Sequence, residues 1–120
     1  MARGLFGFVQ QISQNVLMDE ILTKATQFAK KVKSSGIKIE KAYLYGSQAK
    51  GTAKDQSDID ICIVSPVFGK DFIKEYVKLA GFSKDIDWRI EAIPFNPERL
   101  NDRYDTLAAE IRKYGIPLKV

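Results

Sequence analysis

Segments with the two-residue period of a β-strand alternate along this chain with segments that have the period of an α-helix. Alternating apolar side chains predict three strands, at 37–45, 58–64 and 86–93. Apolar side chains three and four residues apart predict helices at 17–35, 72–80 and 97–114. Asn96 is expected to cap the last helix, with Pro97 in its first turn. This order favours an α/β (α+β) fold, a small mixed sheet of three or more strands with helices packed against it.

The composition excludes several kinds of site. The 120 residues include one cysteine, Cys62, and no histidine. An internal disulfide, a zinc site and a Ser-His or Cys-His nucleophile are therefore excluded, which leaves carboxylates as the catalytic and metal-binding groups. The net charge of +4 permits an anionic ligand but does not by itself indicate nucleic acid binding.

We divide the chain into an N-terminal extension, 1–16, and one domain, 17–120. The extension has an apolar helix face that would dock on the domain or on a second copy, the latter giving a homo-oligomer. A membrane-surface helix is the alternative, and the low basic charge of the segment disfavours it. The apolar stretch of the extension stops at Gln10, too early for a signal peptide, and no segment approaches the ~20 apolar residues of a membrane span. We therefore predict a cytoplasmic protein that does not associate with a membrane.

A glycine and a serine, Gly46 and Ser47, stand where the first predicted strand ends. Glycine lets the backbone approach a bulky anion, and the N–H groups of a turn that begins a short helix bind phosphate. Ser47 adds a hydroxyl donor, and Lys50 lies close enough to neutralise further phosphate charge. Because a Gly-Ser turn is also common in ordinary loops, this segment indicates a site only together with other features.

Two aspartates begin the second predicted strand. Asp58 and Asp60 are two positions apart, so their carboxylates point to the same face, with Cα atoms ~6–7 Å apart. Adjacent like charges are unfavourable unless a cation joins them, and hard oxygen ligands suit Mg²⁺ or Mn²⁺. The alternative, in which Asp58 belongs to a turn or cap and Asp60 is solvated, stays open from these residues alone.

A third carboxylate is expected from a neighbouring strand, because two-metal phosphoryl chemistry holds both the attacking and the leaving oxygen. The third predicted strand offers Asp87 and Glu91 on one face, with Arg89 between them. If Arg89 pairs with one of these acids, the other stays free.

Together these residues resemble the nucleotidyltransferase signature of the DNA polymerase β superfamily. Gly46-Ser47 is followed, after ten residues, by Asp58-Ile-Asp60. The fuller pattern, Gly-Ser-x-Ala-x-Gly and then Ser-Asp-Ile-Asp, is similar to that of the minimal nucleotidyltransferases of bacteria and archaea. The likeness extends from about residue 17 to residue 116 and includes the stretches 89–98 and 110–116.

The resemblance implies a polymerase-β-like nucleotidyltransferase fold and a role for each matching residue. Gly46 and Ser47 would hold the phosphates of a nucleotide. Asp58 and Asp60 would be catalytic and bind metal. The third acid would be Glu91, which lies deeper in the predicted strand, with Asp87 as the alternative.

The activity implied is transfer of a nucleoside monophosphate, AMP from ATP, with Mg²⁺ or Mn²⁺. The long members of the superfamily carry an added acceptor domain, for which 17–120 leaves no room. Minimal members often pair with a small helical protein of the HEPN type, which implies the antitoxin of a HEPN/MNT toxin–antitoxin pair that modifies a hydroxyl of its partner. Two alternatives remain: an enzyme acting on a small molecule or nucleic acid, and an inactive nucleotide- or protein-binding module.

Overall fold

The computed structural model describes residues 2–120, in which a four-stranded mixed sheet has helices on both faces. The helices are α1 (Ala2–Ser34), α2 (Gly46–Lys50), α3 (Phe72–Gly81), α4 (Pro97–Leu100) and α5 (Thr106–Tyr114). The strands are β1 (Lys41–Tyr45), β2 (Ile59–Val64), β3 (Ile90–Phe95) and β4 (Ile116–Pro117). The predicted class, α/β (α+β) with a small mixed sheet, is confirmed.

The strand order in the sheet is β3-β2-β1-β4. β1 runs antiparallel to β2 and to β4, whereas β2 and β3 are parallel. A parallel pair needs a crossover connection, and α3 lies in the one that joins β2 to β3. The beginnings of β2 and β3 therefore lie at the same edge of the sheet as the end of β1.

Alternation along β2 separates two apolar layers. Ile59, Ile61 and Ile63 pack with α1 on one face. Cys62 and Val64 pack with α5 on the other face. Because both faces of the sheet are covered, Cys62 is fully buried.

Two predicted strand boundaries were wrong. β1 begins at Lys41 rather than at residue 37, because Lys41 lies opposite Val64, the last residue of β2. β3 begins at Ile90 rather than at residue 86, because the N–H groups of Ile86 and Asp87 both donate to the Ser83 carbonyl and form a turn. β4 was not predicted, since a two-residue strand is too short to have a period.

Polar side chains set the beginnings of three helices. Asp71, Asn96 and Asp105 each accept a hydrogen bond from a backbone N–H in the first turn of α3, α4 and α5, respectively. The predicted cap at Asn96, followed by Pro97, is confirmed. Each of these contacts satisfies an N–H group that has no partner within its helix. The prediction of one helix over 97–114 was wrong, because the helix that Asn96 caps ends at Leu100 and α5 begins separately after its own cap, Asp105.

Helix α1 crosses the predicted boundary between residues 16 and 17 without a break. The described side chains of residues 4–16 are exposed, so the apolar face of this segment is not buried against its own domain. Gln11, Gln14 and Asn15 line an open cavity together with the loop that follows α2. The boundary itself stays a prediction. Within residues 2–120, no helix is both long enough and apolar enough to cross a membrane.

Candidate active site

A row of three residues crosses the sheet where β1 ends and β2 and β3 begin. Tyr45 lies opposite Asp60 in the antiparallel register, and Asp60 lies opposite Glu91 in the parallel register. The chain turns directly from Tyr45 into α2, so Gly46 lies beside the carboxylate of Asp60.

Asp58, which precedes β2, completes a group of three acids. Asp58, Asp60 and Glu91 each offer one carboxylate oxygen, and these three oxygens lie within 4.8 Å of one another. Asp58 and Glu91 are exposed, whereas Asp60 is half-buried. The structure thus brings together the two aspartates and one of the two acids that the sequence offers as the third.

This arrangement makes the charged form of Asp60 unfavourable. Burial, followed by the negative charges of Asp58, Glu91 and Glu110, raises the pKa of Asp60 to about 6. A bound divalent cation would offset this repulsion, since it attracts all of these carboxylates at once.

We expect Asp60→Asn to be more stable than the wild type at pH 8 in the presence of EDTA. Because the pKa of Asp60 is about 6 in the folded state and 3.8 in the unfolded chain, protonation of Asp60 favours the folded state. This contribution to stability is complete below pH 3.8 and is lost as the pH rises through 6. Asparagine keeps the uncharged form at every pH. Because solvent screens a half-exposed group, we expect a gain of about 1 kcal/mol, or ~4 °C in Tm.

Thermal melts at pH 4 and pH 8 measure this difference. The gain should disappear by pH 4, where wild-type Asp60 is protonated. Asp85→Asn is the control, because the Asp85 side chain is 87% exposed and belongs to no acid group. An Asp60→Asn variant that melts below the wild type at pH 8 would contradict the prediction.

Gly46 is the residue that lets α2 begin so close to Asp60. Its φ is +71°, a conformation that glycine adopts without strain, and a Cβ atom here would overlap the Oδ2 atom of Asp60. The preceding residue, Tyr45, provides no side-chain hydrogen bond to the start of α2. Ser47 follows in α2 and is half-buried.

Lys50, at the end of α2, makes an ion pair with Glu110 of α5. Its Nζ atom also lies 5.3 Å from the centre of the Tyr114 ring. The amino group is therefore positioned by α5, a contact that the local sequence does not predict. Glu110 was not singled out as a site residue, although it lies near enough to raise the pKa of Asp60.

Asp87, the alternative third acid, lies in a different cluster. Its carboxylate accepts two hydrogen bonds from the Arg89 guanidinium, at 3.0 and 2.9 Å, and one from Lys24 of α1, at 2.8 Å. These partners lower the pKa of Asp87, with the Arg89 hydrogen bond the largest cause, and the side chain is only 6% exposed. Asp87 therefore joins α1 to the turn before β3 and does not lie with Asp58 and Asp60.

Substitutions at the two candidate third acids should change different properties of the protein. Glu91→Gln is expected to weaken Mn²⁺ binding at least tenfold. Even replacing a residue that only hydrogen-bonds to a metal ligand lowers metal affinity about 10–100-fold. Asp87→Asn is expected to change Mn²⁺ affinity less than twofold but to lower the free energy of unfolding by about 1–2 kcal/mol, because it weakens charged hydrogen bonds. Calorimetric titration with MnCl₂ and urea unfolding measure the two effects. The reverse pattern would assign Asp87 as the third acid.

Two further residues near the acids lie outside the pattern by which the sequence indicates the site. Tyr76 of α3 places its hydroxyl 3.5 Å from Glu91 Oε1, and the negative charge of Glu91 raises the pKa of Tyr76. The side chain of Tyr45 is buried behind the site, and burial raises its pKa as well. Neither tyrosine belongs to the glycine-serine and aspartate pattern, so only the packing of α3 and the register of β1 reveal them.

Residues 25–115 match the nucleotidyltransferase domain family. The chain belongs to this family. The match covers most of the domain and contains the glycine-serine turn and all three acids. The protein is therefore a transferase of the nucleotidyltransferase family, as its glycine-serine and aspartate signature implies. No curated protein sequence gives a significant match to it.

Solved structures with a similar fold include a nucleotidyltransferase and two toxin–antitoxin structures. A protein of Sulfolobus solfataricus assigned as a nucleotidyltransferase superposes with a TM-score of 0.63, at 22% identity, over 88% of this chain and 85% of its own. A toxin–antitoxin structure with AMP-PNP gives 0.57 at 24% identity, over 75% of this chain and 68% of its own. A variant of the MntA–HpeT toxin–antitoxin gives 0.59 at 21% identity, over 79% and 72%. At these identities the likeness shows a shared fold.

Proposed function

We propose that this nucleotidyltransferase transfers AMP from ATP to a hydroxyl group of a partner protein, with Mg²⁺ or Mn²⁺ as cofactor. The observation that carries the proposal is the convergence of Asp58, Asp60 and Glu91 beside Gly46. A second support is the similar fold of a toxin–antitoxin structure with AMP-PNP.

The three acids fit a divalent metal ion. Oxygen ligands at ~2.1 Å from an octahedral ion lie about 3 to 4.2 Å apart. The three carboxylate oxygens here lie within 4.8 Å of one another, so small side-chain movements would bring them to these separations. The three carboxylates also concentrate negative charge, which together with burial raises the pKa of Asp60. A bound cation would neutralise this charge. When bound, the metal would neutralise phosphate charge and lower the pKa of the attacking hydroxyl.

The chain's own residues would bind and orient the nucleotide. Backbone N–H groups of Gly46 and Ser47, with the Ser47 hydroxyl, would donate to the phosphates. Lys50 would add positive charge from the end of α2, where Glu110 holds it. These groups contribute positioning and electrostatic stabilisation, the kind of catalysis that needs no histidine.

The acceptor would approach from the solvent. Asp58 and Glu91 are exposed, so a protruding hydroxyl of another protein can reach the acids. Its oxygen would form a bond to the α-phosphorus, while the bond between the α-phosphorus and the oxygen that bridges to the β-phosphate would break. Pyrophosphate would leave, and the hydroxyl proton would pass to water. We assign the chain as the cytoplasmic antitoxin of a HEPN/MNT pair, with a small helical HEPN-type protein as the acceptor.

Co-expression with a helical protein encoded beside it tests this function. We expect a stable complex, and a gain of one or more AMP units on the partner that intact-mass measurement detects. A partner that stays unmodified, while a small alcohol or an RNA end becomes labelled, would favour the second type of nucleotidyltransferase. A complex without any labelled acceptor would identify an inactive binding module.

A further inference from the structure

The N-terminal half of α1 carries an exposed apolar seam. The seam consists of Leu5, Val9, Ile12 and Val16, which are between 46% and 69% exposed. Their spacing of four, three and four residues places them on one side of the helix. Phe8, beside the seam, and Leu17 are also exposed, at 63% and 60%. The described residues from 4 to 18 include no charged side chain. A helix segment of this length is only marginally stable in water unless its apolar side is covered.

The seam faces away from its own domain. The residues of α1 that pack on the sheet have the same spacing as the seam and follow it sixteen positions later along the chain. They are Ile21, Ala25, Phe28 and Val32. Sixteen residues of α-helix correspond to a rotation of about 160°, at 100° per residue. In the N-terminal half, different residues lie in line with those that pack on the sheet. These residues are Gly7, Gln11 and Gln14. The domain can therefore not cover the seam while α1 stays one helix.

We propose that the seam pairs with the same seam of a second copy, in antiparallel orientation, to form a homodimer. The seam is symmetric about the point between residues 10 and 11. Antiparallel pairing therefore sets Leu5 opposite Val16 and Val9 opposite Ile12, each pair occurring twice, as a two-fold interface requires. The described segment has no charge that would repel an identical segment or select a partner of opposite charge.

The shape of the chain permits this arrangement. Because the seam points away from the domain, the second helix can approach without meeting the first domain. The two domains then lie at opposite ends of the helix pair. The seam is ~17 Å long, short for a coiled coil, so we expect dissociation constants in the micromolar range.

The dimer would leave the candidate active site open. α1 packs on the sheet face that carries Ile59, Ile61 and Ile63, whereas Asp60 and Cys62 belong to the opposite face. The proposal does not depend on the proposed function, since it rests on residues that take no part in the site.

Sedimentation equilibrium of the full chain between ~1 and ~300 μM tests the dimer. We expect the mass to rise from 13.6 kDa toward twice that value with concentration. Val9→Glu combined with Ile12→Glu places charge in the seam and should weaken the dimer at least 100-fold. Gln11→Glu combined with Gln14→Glu adds the same charge to the opposite side and should change the dissociation constant less than threefold. Circular dichroism melts should show that both variants keep the folded domain.

Cysteine cross-linking tests the orientation. Val9→Cys and Ile12→Cys variants, mixed and oxidised, should form mainly 9–12 disulfides, and the native Cys62 is buried and does not compete. A predominance of 9–9 and 12–12 disulfides would overturn the antiparallel arrangement. A wild-type chain that stays at 13.6 kDa at 300 μM, a dimer that survives charge in the seam, or a seam that binds only a foreign protein would overturn the proposal.

Discussion

Asp58→Asn and Asp60→Asn, each alone, should lower ATP-dependent labelling of the acceptor by about 10³-fold or more. Each removes one of the carboxylates that converge with Glu91, and a metal contributes several kcal/mol of charge stabilisation to phosphoryl chemistry. The same variants should lose most of the increase in Tm that ATP with Mg²⁺ gives the wild type, because a ligand that binds only the folded state stabilises it. Labelling with α-³²P-ATP and thermal shift measure the two effects.

Asp85→Asn is the matched control for this prediction. It removes one aspartate carboxylate, but Asp85 lies in an exposed ion pair with Lys31, away from the acid group. Labelling by this variant should stay within about twofold of the wild type. If Asp58→Asn and Asp60→Asn kept wild-type labelling and the same Mg²⁺-dependent stabilisation, the acid group would not be the metal site.

Gly46→Ala should lower the same labelling by about 100-fold. The added methyl group would overlap Asp60 Oδ2, so the carboxylate must move, and a displacement of about 1 Å in a catalytic group can cost 10²-fold in rate. The φ of +71° adds backbone strain of about 1–2 kcal/mol for any residue other than glycine. Labelling at saturating ATP and urea unfolding separate the catalytic effect from the loss of stability.

Gly51→Ala separates the overlap from the strain. Gly51 has nearly the same φ, +76°, but a Cβ atom there has no atom within 4 Å. It should therefore lose similar stability to backbone strain while its labelling stays within about threefold of the wild type. If both alanine variants lost activity equally, the contact between Gly46 and Asp60 would not be what the site requires.

A small part of the sequence was sufficient to predict much of the site. Gly46, Asp58 and Asp60 lie close together in the chain, and strand alternation alone places both aspartates on one face. The structure adds a reason for the glycine that the pattern does not contain, since the space a Cβ atom would occupy is taken by Asp60. The phosphate-binding roles of Gly46, Ser47 and Lys50 stay predictions.

The fold class was also predictable, but the ends of the strands were not. Apolar periods are local properties, so they located β2, α3 and the part of α1 that packs on the sheet from the residues themselves. They did not detect the break at 101–105 that divides the predicted helix 97–114 into α4 and α5. The start of β1 depends on where its partner β2 ends, and the start of β3 depends on a turn anchored at Ser83. A period read along one segment contains no information about the length of the strand beside it.

The positions of the two candidate third acids show most clearly what tertiary structure decided. In the sequence, Asp87 and Glu91 lie four positions apart on one face of the predicted strand, and Glu91 was preferred only because it lies deeper in that strand. In the fold, Lys24, 63 residues earlier, holds Asp87 together with Arg89, while the parallel register sets Glu91 opposite Asp60. The sequence determined which side chains were available, through residue type and local period. Which of them meet was decided by packing between distant segments, because ion pairs and strand register form between surfaces that no local pattern describes.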